Sequence, residues 1–124
     1  MRTFTLDEAN RTLHEIRPKL IALKQLHSEI DGFRQASRNA SRSSNFGGGM
    51  RGGTEYVSKL FTAGQIATEI ADRGVELKDY SRGLIDFPSE RSGRIVLLCW
   101  ELSDGDEIEW WHEVDDGYAG RQPI

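Results

Sequence analysis

The sequence predicts an α+β fold: a long antiparallel helical hairpin packed on a small three-stranded antiparallel sheet, with the C-terminal tail folding back over the sheet. Three observations predict it. Apolar residues recur at helical spacing up to Arg73, the period falls to two after Gly74, and turn formers then cut the alternating stretch into short runs. At 124 residues the chain has the length of one domain, 1–124. Within it the hairpin occupies 5–73, interrupted by a flexible loop at 34–53, followed by a sheet region at 75–114 and a tail at 115–124.

Thr5-Leu6-Asp7-Glu8 has the pattern of a capping box, in which the threonine hydroxyl and the glutamate carboxylate satisfy each other's backbone N–H groups, so the first helix starts there. Leu6, Ala9, Leu13, Ile16, Leu20, Leu23, Ile30 and Phe33 form its apolar stripe, and Pro18 predicts a kink. Residues 34–53, rich in Arg, Ser, Asn and Gly, have little to bury and read as a structureless loop. Thr54 offers the next N-cap, and Val57, Leu60, Phe61, Gly64, Ala67 and Ile70 or Ala71 the second stripe; Gly74 suits the residue after the C-cap.

The strand region starts at Val75 and Leu77, continues through Leu84 to Phe87 and stops at Pro88; Ser92-Gly93 turns into Arg94–Leu102, and Ser103 to Asp106 turns into Glu107–Val114. Placing Leu102 opposite Glu107 sets Cys99 opposite Trp110, Leu98 opposite Trp111 and Leu97 opposite His112. One face then carries Leu97, Cys99, Ile108, Trp110, His112 and Val114 and is read as the core. The other carries Leu98, Trp100, Glu109, Trp111 and Glu113 and is read as the face offered to a partner.

Composition narrows the function classes. A single cysteine forms no internal disulfide, and the chain has no apolar run long enough to span a bilayer, so the expected setting is the cytoplasm, with no membrane partner. Residues 1–53 carry nine Lys/Arg against five Asp/Glu, and residues 54–124 seven against fifteen. The acidic whole and the lone aromatic of the basic loop, Phe46, argue against nucleic acid as the main partner.

All three tryptophans, the one cysteine and a dense run of carboxylates fall between Lys78 and Ile124, which marks the candidate site. The expected binding residues are Lys78, Arg82, Asp86, Trp100, Trp111, His112, Glu113 and Arg121. An alternative is a divalent-metal-dependent enzyme using Cys99, His112, Glu113 and Asp115, with Asp86 or Glu101 as further donors. Against it, no CxxC, HxxxH or EF-hand spacing occurs, and Gly47 to Gly52 matches a dinucleotide fingerprint without the strand that must precede one. Cys99, mid-strand in an apolar run, is read as a buried thiol rather than a nucleophile. A second alternative is anion or RNA binding by the loop at 34–53.

The segments KDYSRGLIDFP, LCWEL, EIEWWHE and DDGYAGRQPI, following two helices split by a glycine-rich break, resemble the bacterial family catalogued as domain of unknown function 2203. The resemblance covers nearly the whole chain and implies a small prokaryotic protein, with no activity to carry over. The expected function is therefore a non-enzymatic binding or regulatory module acting through the C-terminal sheet as a homodimer. Its ligand is an unidentified protein or small molecule, and no cofactor is predicted apart from the divalent metal of the alternative. Self-association is expected because two helices cover one face of a three-stranded sheet and leave the other.

Overall fold

The computed structural model describes residues 2–43 and 52–124. The first helix, α1, runs Leu6–Ser43 and opens on the expected capping box: the Glu8 N–H donates to Thr5 Oγ1 at 3.1 Å and the Thr5 N–H to Glu8 Oε1 at 2.9 Å. Ala9, Leu13, Ile16, Leu20, Leu23 and Ile30 are buried, as their spacing requires. Pro18 lies inside the helix without ending it. It sits on the exposed side, as does His14, whose carbonyl would otherwise accept the N–H that proline lacks.

Two expectations fail here. Residues 34–43 are helical, so α1 is ten residues longer than its apolar stripe; the basic, polar residues there are good enough helix formers to continue a helix already nucleated upstream. The remainder of the expected loop at 44–51, with Arg42's side chain, Arg51 and the glycine run from Gly47, lies outside the described residues. The second helix, α2, spans Gly53–Asp72 and is capped by Gly52 at φ 83° rather than by Thr54. Gly52 takes this left-handed conformation while its carbonyl accepts the Tyr56 N–H at 2.9 Å.

α2 also presents a different face from the one expected. Ala63 and Ile70 are buried and Tyr56 and Ile66 lean on the core, whereas Val57 and Phe61 are 63% and 66% exposed. The helix carries two apolar rows, and only one meets α1. Lys19 with Glu69, Lys59 with Glu29 and Arg73 with Glu15 fix the antiparallel register of the pair. Gly74, at φ 87°, donates to the Ala71 carbonyl and ends the hairpin as predicted.

The sheet has five strands instead of three, in the order β1 (Glu76–Asp79), β2 (Leu84–Arg91), β3 (Arg94–Trp100), β4 (Trp110–Glu113) and β5 (Gln122–Pro123), all neighbours antiparallel. β2 continues through Pro88. The Pro88 carbonyl accepts the Phe4 N–H at 2.8 Å, on the side away from β3; a strand residue's nitrogen and oxygen point the same way, so the missing N–H costs the β2–β3 ladder nothing. Ser92 and Gly93, at φ 52° and 77°, make the two-residue hairpin turn between β2 and β3. β4 is shorter than expected: Glu107 to Glu109 belong to the β3–β4 loop, held to α1 by the Ile108 N–H on Asn10 Oδ1 at 2.8 Å.

The tail joins the sheet edge as β5, with Trp110 opposite Pro123 and Trp111 opposite Gln122, instead of folding over the face that holds Trp100 and Trp111. That face belongs to the helices. Ile85, Phe87, Val96, Leu98, Trp100 and Trp111 form one core with Leu13, Ile16, Leu20 and Ile70. The expected pairings of Cys99 with Trp110, Leu98 with Trp111 and Leu97 with His112 hold, but the two faces are exchanged: the Trp100 side is the core. No described helix is long and apolar enough to cross a membrane.

Candidate functional site

On the face turned away from the helices, alternation brings out Leu84, Asp86 and Pro88 from β2, Leu97 and Cys99 from β3, and Trp110 and His112 from β4. Leu84 and Leu97 are buried yet stand apart from the main core, so this outer face is closed within a single chain. At its centre Asp86, Cys99 and His112 are 3%, 1% and 2% exposed. One ligand atom from each lies within 4.8 Å of the others.

Hydrogen-bond logic fixes the protons of this cluster. His112 Nδ1 lies 2.8 Å from the Glu113 carbonyl oxygen, which can only accept, so Nδ1 carries a proton. His112 Nε2 lies 3.1 Å from Asp86 Oδ1, and a second proton must sit between them, since two facing lone pairs would repel. Burial pushes the Asp86 carboxyl above its ordinary range, against the pull of His112 and of the Cys99 thiol, which donates to it. Burial, reinforced by Asp86, also pushes the Cys99 thiol up to about 12. The three groups together therefore hold a protonated thiol and one shared proton, with no net charge.

Beside the cluster, at the β3–β4 end, a second group of predicted residues is joined by ion pairs, with the buried Nε of Arg121 left without a hydrogen-bond partner. Glu101 accepts from Arg82 at 2.7 Å and faces Arg121 at 3.7 Å, and Arg121 also donates to Asp104. The Tyr118 ring lies 4.2 Å from the Arg82 guanidinium and 4.8 Å from that of Arg121, which stacks 5.0 Å from Trp110. Burial works to raise the Glu101 carboxyl, but Arg82, Ser103 and Tyr118 outweigh it and hold it below the usual carboxylate range.

The other predicted residues are not brought together. Trp100 and Trp111 are core side chains, 0% and 7% exposed, and offer no surface to a partner. Lys78 pairs with Glu76 at the β1 edge, and Glu113 is held by Arg94, whose hydrogen bonds keep its carboxyl low. In the metal reading Glu113 and Asp115 drop out: Glu113 has opposite parity to His112 along β4, and Asp115 is exposed in the turn beyond it. Asp86 takes their place, because pairing of β2 with β3 sets it directly beside Cys99. Glu101, Asp104, Trp110 and Tyr118 were missed as a network; the signal was the acidic β3–β4 turn, whose counter-charge Arg121 is supplied from the far end of the chain.

Fold and site together define a small α+β protein with a two-helix hairpin on a five-stranded antiparallel meander and a buried Asp–Cys–His cluster on the opposite face. The chain belongs to the family described as uncharacterized conserved protein (DUF2203), whose model matches residues 2–124. No curated protein and no solved structure matches it.

Proposed function

We propose that this protein is a small non-enzymatic binding module of the bacterial cytoplasm, working as a homodimer and holding its ligand through the outer face of the C-terminal sheet. The observation that carries the reading is the buried, mutually hydrogen-bonded trio of Asp86, Cys99 and His112. A buried ion pair is commonly no better for stability than apolar side chains of similar volume, and is often worse. Leu84 and Leu97 already supply apolar packing on this face, so the fold itself does not call for a polar centre there. Binding is favoured over catalysis because the thiol is strongly protonated and all three groups are enclosed, out of reach of an external substrate.

The test compares stabilities by guanidinium unfolding in chelator-containing buffer. Asp86→Val alone strands the histidine and should cost about 3–5 kcal/mol. The double variant Asp86→Val/His112→Leu replaces the pair by apolar groups and should equal or exceed the wild type. A double variant that is itself destabilised by about 3 kcal/mol or more would assign the trio to the fold and overturn the reading.

A further inference from the structure

Resting on that reading, we infer that the ligand of the outer face is one divalent metal ion of the zinc class, bound by Asp86 from β2, Cys99 from β3 and His112 from β4. Three atoms whose separations do not exceed 4.8 Å fit around a common point no more than about 2.8 Å from each. Zinc sits about 2.3 Å from sulfur and 2.0–2.2 Å from nitrogen or oxygen, so a contraction of about half an ångström forms the site. Adjacent paired strands supply all three donors, so no rearrangement of the backbone is required.

The orientation of the histidine is that of a ligand. A metal-binding imidazole characteristically donates its other ring N–H to a carbonyl or carboxylate, which fixes the tautomer and aims the free nitrogen at the metal. His112 donates Nδ1–H to the Glu113 carbonyl and points Nε2 at Asp86, with Cys99 beside Asp86 in the cluster.

The charge count selects a divalent ion. The donor set offers one thiolate, one carboxylate and one neutral imidazole, two negative charges in all. The metal would bond to the thiolate sulfur, the carboxylate oxygen and an imidazole nitrogen, and any protons on those atoms leave as it binds. A divalent ion makes the buried site neutral, whereas a monovalent ion would leave a net negative charge in a low-dielectric setting. The neighbouring charges are themselves paired: Lys78 with Glu76, and Arg121 with Asp104 and Glu101. One thiolate, one imidazole and one carboxylate make a borderline-soft set suited to zinc and its analogues rather than to magnesium or calcium, which take oxygen donors.

The experiment uses the full chain, produced without an affinity tag, unfolded in guanidinium and refolded with cobalt(II), the spectroscopic stand-in for zinc. Cys99 is the only cysteine, so sulfur-to-cobalt charge-transfer absorption can arise from no other residue. The expected result is one cobalt per chain with that absorption, release of protons in weak buffer, and displacement by zinc. His112→Gln and Asp86→Asn should weaken cobalt binding at least about 10-fold. Wild-type protein that refolds with no charge-transfer absorption overturns the inference whatever the variants do, and so does cobalt retained equally by Cys99→Ala. If metal is absent while Asp86→Val/His112→Leu keeps its stability, the metal fails and the binding-module reading stands. If that double variant is strongly destabilised without metal, the reading itself fails.

Discussion

Cys99 lies beside Asp86 in a site closed to water, and in the metal-free protein burial and that carboxyl hold its thiol at about 12 against an ordinary value of 9.0. The folded state thus keeps a proton that the unfolded chain gives up first. With the folded value raised, the thiol's contribution to stability is fully present below about pH 9 and is lost as pH rises from there towards 12, with a slope of at most about 1.4 kcal/mol per pH unit. Other groups titrate in this range, so the contribution is isolated as a difference. Guanidinium midpoints of wild type and Cys99→Ala, followed from pH 8 upward in chelator, should converge as pH rises. Parallel curves would mean that the thiol is not shielded. The same burial should leave native Cys99 unreactive to a thiol reagent that labels the unfolded chain within minutes.

At the level of the element, the start of α1 is a local device whose worth can be measured. Thr5→Ala removes the hydroxyl that accepts the Glu8 N–H and should cost about 1 kcal/mol, or about 4 °C in Tm, with the helical circular dichroism retained. A variant with unchanged Tm would show that water replaces the cap without loss. Signals of this range were legible in the sequence: the capping box, Gly74 at the end of α2 and the Ser92-Gly93 turn each depend on residues within a few positions of one another. What was not legible depended on the partner. Val57, Leu60 and Phe61 form one apolar row of α2 and Tyr56, Ala63, Ile66 and Ile70 another, and only contact with α1 decides between them. The run Ile95 to Trp100 is apolar on both sides because both faces of β3 are buried from Val96 on, so the Ser103–Asp106 turn gave the register with β4 but alternation could not say which face met the helices. β1 is so short that Val75 and Leu77 were its only sign, and β5 is too short to show a period at all. The site shared this limit. Cys99 and His112 followed from the hairpin register, whereas Asp86 needed the pairing of β2 with β3 across Pro88, and Glu113 and Asp115 were drawn in by proximity along the chain, which parity overrides.

For the molecule as a whole, the outer sheet face is closed within one chain, so the self-association proposed above would use another surface. Among the described residues of the hairpin, Phe61 and Val57 on α2 are the most exposed large apolar side chains, with Leu60 at 38% exposure between them. Phe61 stands beside Gly64, where an added Cβ would meet nothing within 4 Å, and both line a shallow groove of about 560 Å³ with Leu60, Gln65, Thr68 and Glu69. A projecting ring one turn from a glycine on the same face is self-complementary, and a two-fold dimer requires a surface of that kind: packing α2 antiparallel to its copy would seat each Phe61 over the other's Gly64. The expected mass by light scattering is therefore twice the 14.0 kDa of the chain. Phe61→Lys should return it to the monomer while leaving each chain's stability within about 0.5 kcal/mol, because the ring contributes little inside one chain. Gly64→Leu, which adds a side chain on an open helical surface, should dissociate the dimer in the same way without unfolding the chain. A wild type that is monomeric at all concentrations would remove self-association from the proposal, and a dimer that survives both substitutions would move its interface away from α2.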